Sequence, residues 1–104
     1  MKRILALLCV GILAVMMAVG VTAAAVPGIT DNQVVVGAFQ DQSGAAAVVG
    51  INMRKGMEAY FNWVNAQGGV NGRKIKFIVE DDGFQAARAI AATRKLVEQD
   101  KVFA

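Results

Sequence analysis

The chain contains no histidine and a single cysteine, Cys9, among its 104 residues. Without a second cysteine there is no disulfide framework, and without histidine the usual zinc and Cys/His chemistries have no ligands. A long stretch free of charge, by contrast, is present at the start. Lys2 and Arg3 precede an uninterrupted apolar run from Ile4 to Val21, and Thr22-Ala23-Ala24-Ala25 follows with small residues. A basic start, an apolar middle and a small-residue exit are the three parts of a secretory signal peptide. The expected domain plan is therefore a signal peptide over residues 1–25, cut between Ala25 and Val26, and a mature segment over 26–104. The run is also close to the length that spans a bilayer, so an uncleaved membrane anchor stays open as the alternative. Cys9 follows Leu8 well inside the run and reads as part of the apolar core of the leader.

Removing the leader changes the charge argument. The formal charge is +3, but Lys2 and Arg3 account for two of the eleven basic residues, leaving nine against eight acidic. A near-neutral mature segment with no basic stripe interleaved with aromatics gives no footprint for nucleic acid.

Along the mature segment, Val34-Val35-Val36-Gly37-Ala38-Phe39 is a short β-branched and apolar run, expected to be a strand buried on both faces. Gln40 to Gly50 is expected to be a loop. From Ile51 to Gln67, Met53, Met57, Tyr60, Phe61 and Val64 recur at helical spacing, and Gly68 with Gly69 ends that helix. Asn71-Gly72 predicts a tight turn. Ile75 to Val79 is a second strand, and Asp81 and Asp82 stand where carboxylates can accept N–H groups of a following helix, Gln85 to Gln99. Its expected buried stripe is Ala86, Ile90, Thr93 and Val97. Lys101 to Ala104 opens a further apolar segment. The order β-α-β-α-start of β requires parallel pairing with right-handed crossovers, so the fold class is α/β, a three-layer parallel sheet. Two complete strands are few for such a sheet, and about 79 residues bury only about 60–65 % of their unfolded surface. The mature segment is accordingly expected to be the first part of a longer protein.

The glycine-rich stretch Gly68-Gly69-Val70-Asn71-Gly72 invites a nucleotide-binding reading, that of an α/β enzyme. A dinucleotide site needs G-x-G-x-x-G directly after the first strand, where N–H groups and a helix start meet a pyrophosphate. That position reads Gly37-Ala38-Phe39-Gln40-Asp41-Gln42-Ser43-Gly44, and the glycine cluster lies instead between a helix and the next strand. Gly68, Gly69 and Gly72 are therefore structural, a helix end and a turn. No cofactor and no metal is implied.

The ordered set Gly28-Ile29-Thr30-Asp31, an apolar strand ending in Gly37, Ser43-Gly44, Asn65 to Ile75, Asp81-Asp82 and Thr93 to Val97 resembles the leucine/isoleucine/valine-binding protein family. The resemblance covers about residues 28–104. It implies an extracytoplasmic solute-binding subunit of an ABC transporter with the type I periplasmic-binding fold, here the incomplete N-terminal lobe. Such receptors are not enzymes. They close two lobes on a small solute, an amino acid or amide, and deliver it to a membrane permease. A ligand-sensing domain of a membrane receptor is the alternative on the same fold. On this resemblance the periplasm is the expected location. The loop after the first strand faces the cleft, which makes Gln42, Ser43 and Gly44 the candidate ligand-binding residues. The family's usual proline after Ser-Gly is Ala45 here. Asp81 and Asp82 at the same edge are expected to act structurally, as helix caps, and Tyr60 and Trp63 to pack in the core. The family's main contacts to the solute's carboxylate and ammonium come from segments beyond Ala104.

Overall fold

The computed structural model describes residues 24–104. The expected signal peptide, residues 1–25, lies outside the described residues except for Ala24 and Ala25. Ala24, Ala25 and Val26 are exposed and outside regular structure.

Two strands, β1 (Gln33–Gln40) and β2 (Lys74–Asp81), pair in parallel from Gln33 opposite Lys74 to Gln40 opposite Asp81. Parallel pairing obliges the chain to cross over between them, and helix α1 (Ala47–Ala66) makes that crossing. It lies on the face that carries Val36 and Phe77. The Phe61 and Phe77 rings meet edge to face with centroids 5.0 Å apart. Helix α2 (Ala86–Arg94) continues into one wide turn of π-helix, Lys95–Gln99, and covers the opposite face. Leu96 and Val102 press so close to Gly37 that a Cβ there would stand 3.0 Å from each. The molecule thus has the expected three layers.

Alternate residues of β1 serve different edges. The carbonyl of Gln40 accepts from Asp82 on the β2 side (3.2 Å), while Val35 and Gly37 point the other way. There Phe103 donates its N–H to the Val35 carbonyl (2.8 Å) and Gly37 donates to the Ala104 carbonyl (2.7 Å). The expected third apolar segment therefore docks on the free edge of β1, although the sheet itself counts two strands. The spatial order is β2, β1, third segment. The strand order reverses at β1, and the crevice beyond the carboxyl end of that strand is where open α/β sheets hold ligands.

The amino-end connector behaves as the sequence implies. Gly69 sits at φ 83° with the Arg73 carbonyl against it, so a Cβ would approach that oxygen to 2.0 Å. Asn71 (φ 50°) and Gly72 (φ 78°) form a two-residue turn closed by Val70–Arg73 hydrogen bonds of 2.7 and 2.9 Å. Two consecutive positive φ values make it the mirror-image turn that Asn-Gly favours.

Three expectations need correction. Helix α1 begins at Ala47, four residues before Ile51, because the buried carboxylate of Asp41 accepts the Ala46 N–H (2.6 Å) and organises the turn ahead of it. On α1, Met57, Phe61 and Val64 face the sheet and Gly50 is buried, whereas Tyr60 and Trp63 are about 60 % exposed and stack on each other at 5.9 Å. On α2, Ala92 and Leu96 are buried, and Ile90 and Val97 look outward. Both helices carry apolar residues on more than one side, so periodicity alone selected the wrong stripe.

Candidate functional site

Two loops form the carboxyl rim of the sheet. One leaves β1 at Asp41 and enters α1 at Ala47; the other leaves β2 at Asp82 and enters α2 at Ala86. Gly68, Gly69 and Gly72 lie at the opposite rim, before β2 starts, and are remote from the loop carrying Ser43 along the strand direction.

Asp41 turns inward. It is only 6 % exposed, and its carboxylate accepts the backbone N–H groups of Ser43 (3.1 Å), Gly44 (2.5 Å) and Ala46 (2.6 Å). A buried carboxylate is tolerable when several donors satisfy it, and here the donors are its own loop. Asp81, at the end of β2, reaches across. It accepts the Gln42 N–H (2.8 Å), the Ser43 hydroxyl (2.6 Å), the Gly83 N–H (3.0 Å) and the Arg88 guanidinium (2.9 Å). The Ser43 hydroxyl first, then the Gln42 N–H, hold the Asp81 carboxyl well below the usual carboxylate range. Asp81 is therefore an anion whenever the protein is folded near neutral pH.

Asp82 accepts the Phe84 N–H at 2.9 Å. Neither carboxylate caps α2: its N-cap is Gln85, which makes no side-chain capping bond. The expected helix-capping role is replaced by a turn-and-bridge role, because Gly83 and Phe84 intervene and take the N–H bonds. Gly83 and Phe84 both adopt positive φ (56° and 57°). For a bulky residue such as Phe84 this left-handed backbone carries strain of the kind concentrated at ligand clamps. Gly44 fits the close approach of the two loops, since a Cβ there would lie 2.3 Å from the Gly83 carbonyl oxygen.

The structure thus brings Gln42, Ser43, Gly44, Asp81 and Asp82 to one rim. Ser43 is exposed, but its hydroxyl proton is already given to Asp81, so its Oγ is left as an acceptor. Gln42 is half-buried and folds its amide back on the Asp41 carbonyl (3.3 Å). Asp41, Asp81 and Asp82 offer oxygen atoms within 4.8 Å of one another. The hydrogen bonds just described occupy the first two, and the trio is accounted for as a clamp between loops.

Sequence reasoning missed Asp41, Arg88 and Gln40. Arg88 also reaches the Asp81 carbonyl (3.1 Å). Nothing local marks it, since its partner arrives only when β2 turns into α2. Gln40 closes β1, is 8 % exposed, and was read as the first residue of a polar loop.

A half-lobe whose β-α-β-α chain reverses at β1, with its polar loops at one rim, is the N-terminal part of the first lobe of a type I periplasmic-binding protein. The comparisons agree. The family described as "Periplasmic binding protein" matches residues 33–104. An amino acid binding protein of Pseudomonas aeruginosa is 38 % identical over 71 residues, covering 68 % of this chain and 19 % of that protein. Among solved structures, the branched-chain amino acid transporter substrate binding protein of Streptococcus pneumoniae in complex with isoleucine shares 31 % identity at a TM-score of 0.66, covering 68 % of this chain and 20 % of that one. The fatty acid ABC transporter substrate-binding protein from Thermomonospora curvata shares 30 % identity at a TM-score of 0.65, covering 73 % and 19 %. The chain belongs to the periplasmic binding protein family, and it spans about a fifth of the length of these relatives.

Proposed function

We propose that this chain contributes the N-terminal part of the first lobe of an extracytoplasmic receptor that captures a small solute, of the amino acid type, for an ABC importer. One observation carries the reading: β1 stands between β2 and the third segment, so the Gln42-Ser43-Gly44 loop lies at the point where the sheet reverses and a ligand crevice opens. The named activities of the relatives support the solute class, with branched-chain amino acids and fatty acids both represented among them. Binding followed by release to a permease requires no chemistry on the solute, and the rim supplies hydrogen bonds and charge, as such a task needs. Export rests on the leader: residues 1–25 direct the chain outward and are removed between Ala25 and Val26. The exposed, irregular backbone at Ala24 to Val26 suits access by a peptidase.

Isothermal titration of the full gene product with a panel of amino acids, amides and short fatty acids tests the capture. The expected result is saturable one-to-one heat with amino acids that bear an apolar side chain. Absence of binding across the panel would overturn the reading. N-terminal sequencing of the exported protein tests the cut, with Val26 expected as the first residue.

Among the described residues no helix is long and apolar enough to cross a membrane.

A further inference from the structure

Arg88 stands in the first turn of α2, a turn that carries no acidic residue. A cation there opposes the helix macrodipole, so the stability of α2 does not call for it. Its side chain runs instead to the carboxyl rim, where Nη2 donates to both the carbonyl (3.1 Å) and the carboxylate (2.9 Å) of Asp81. The oxygen it reaches, Oδ2, is the one that also accepts the Ser43 hydroxyl, while Oδ1 accepts the N–H groups of Gln42 and Gly83. Gripping backbone and side chain at once fixes the direction in which Asp81 points. Two glycines make room for this arrangement. A Cβ on Gly83, which sits at φ 56°, would stand 2.2 Å from Arg88 Nη1. The carbonyl of the same glycine packs against Gly44. Arg88, Gly83 and Gly44 are therefore closely packed in succession, and the guanidinium braces the rim from behind.

Resting on the solute-receptor reading above, we propose that Arg88 is a positioning residue for solute capture, acting through Asp81 to hold the Gln42-Ser43-Gly44 loop in its binding pose. Asp41 ties this loop only to itself, because the N–H groups it accepts, from Ser43, Gly44 and Ala46, belong to the same loop. Among the described residues, the side-chain hydrogen bonds that join the loop to β2 both end on Asp81. Arg88 in turn joins Asp81 to α2, so three elements meet at one carboxylate. A loop that wanders in the empty receptor has to be ordered when the solute arrives, and that ordering subtracts from affinity. Bracing the loop beforehand removes part of the cost. The effect is modest, since the Arg88 and Asp81 side chains are 45 % and 30 % exposed and water weakens such a pair.

The test titrates L-leucine at neutral pH into the full gene product and into Arg88→Met, Arg88→Lys, Asp81→Asn and the Arg88→Met/Asp81→Asn double variant. Arg88→Met keeps the apolar stem and loses the donors. It is expected to raise the Kd about threefold, the scale of one partly exposed ion pair, with little change in ligand-free Tm. Arg88→Lys, which keeps the charge, is expected to recover most of that loss. In the Asp81→Asn background, adding Arg88→Met is expected to leave the Kd where it was, because the intermediary is already gone. Should Asp81→Asn not fold, Ser43→Ala serves as the background, since it cuts the same link one residue further on, and the same non-additivity is expected. An unchanged Kd in Arg88→Met overturns the assignment, and a lowered Tm with unchanged Kd shows a merely structural ion pair. A threefold loss that persists in the Asp81→Asn or Ser43→Ala background overturns it as well, because Arg88 then acts by another route. In each of these cases the wild type still binds and the receptor reading stands. Failure of the wild type to bind any amino acid removes both.

Discussion

Ser43 donates its hydroxyl to Asp81 across 2.6 Å, and this bond joins the loop that leaves β1 to the end of β2. The residues are thirty-eight positions apart in the chain, so the contact exists only when the parallel pairing is made.

The pH dependence follows from that bond. The carboxyl of Asp81 is held below the usual range chiefly by Ser43, so its contribution to stability is complete above the unfolded value of about 4 and is lost as pH falls below it. Thermal melts from pH 7 down to pH 2.5 are expected to show wild-type Tm falling below about pH 5. Asp81→Asn should start lower at neutral pH and close part of its gap to wild type by pH 2.5. Ser43→Ala should move the Asp81 titration upward, read by carboxyl carbon NMR. A titration unchanged in that variant would mean that the hydroxyl bond is not formed in solution.

Two glycines of α1 separate packing from propensity. Gly50 lies over the end of β1, where a Cβ would come within 1.8 Å of the Asp41 carbonyl oxygen. Gly50→Ala should therefore destabilise by about 3 kcal/mol or more, since backbone must move to admit the methyl. Gly56 has nothing within 4 Å of such a Cβ, and Gly56→Ala should stabilise by about 0.5–1 kcal/mol through helix propensity alone. Urea titrations of the two variants give opposite shifts in midpoint if the helix lies as described.

The two rims are separable by mutation. Gly72→Ala places a Cβ on a backbone at φ 78° and should cost about 1 kcal/mol of stability. It should leave solute affinity unchanged, because the turn is at the amino end of β2. A Kd that rises with Gly72→Ala would contradict the placement of the binding crevice at the carboxyl ends.

The strands were legible because a run of β-branched residues between polar breaks admits few other readings, and because Gly68-Gly69 and Asn71-Gly72 announce a helix end and a turn. The start of α1 was not: Ala45-Ala46-Ala47 carries no capping side chain, and the turn before it is held by Asp41, five residues ahead of Ala46. The buried faces of the helices were only partly readable, since Ile90 and Val97 are as apolar as Leu96, and only the sheet decides which is covered. At the rim, Ser43 and the aspartates were placed by resemblance and chain order. The role of Gln40 depends on Met57, seventeen residues on, and that of Arg88 on Asp81, seven residues back across a turn, and neither left a local mark.

Because Asp81 grips both the Gln42 N–H and the Ser43 hydroxyl while Arg88 steadies it from α2, the margin of this half-lobe is stitched into a single stiff lip. Such a margin does not furl inward one loop at a time. If the proposed receptor function holds, it travels as a unit, and any closure on a solute is taken up elsewhere than in these two loops.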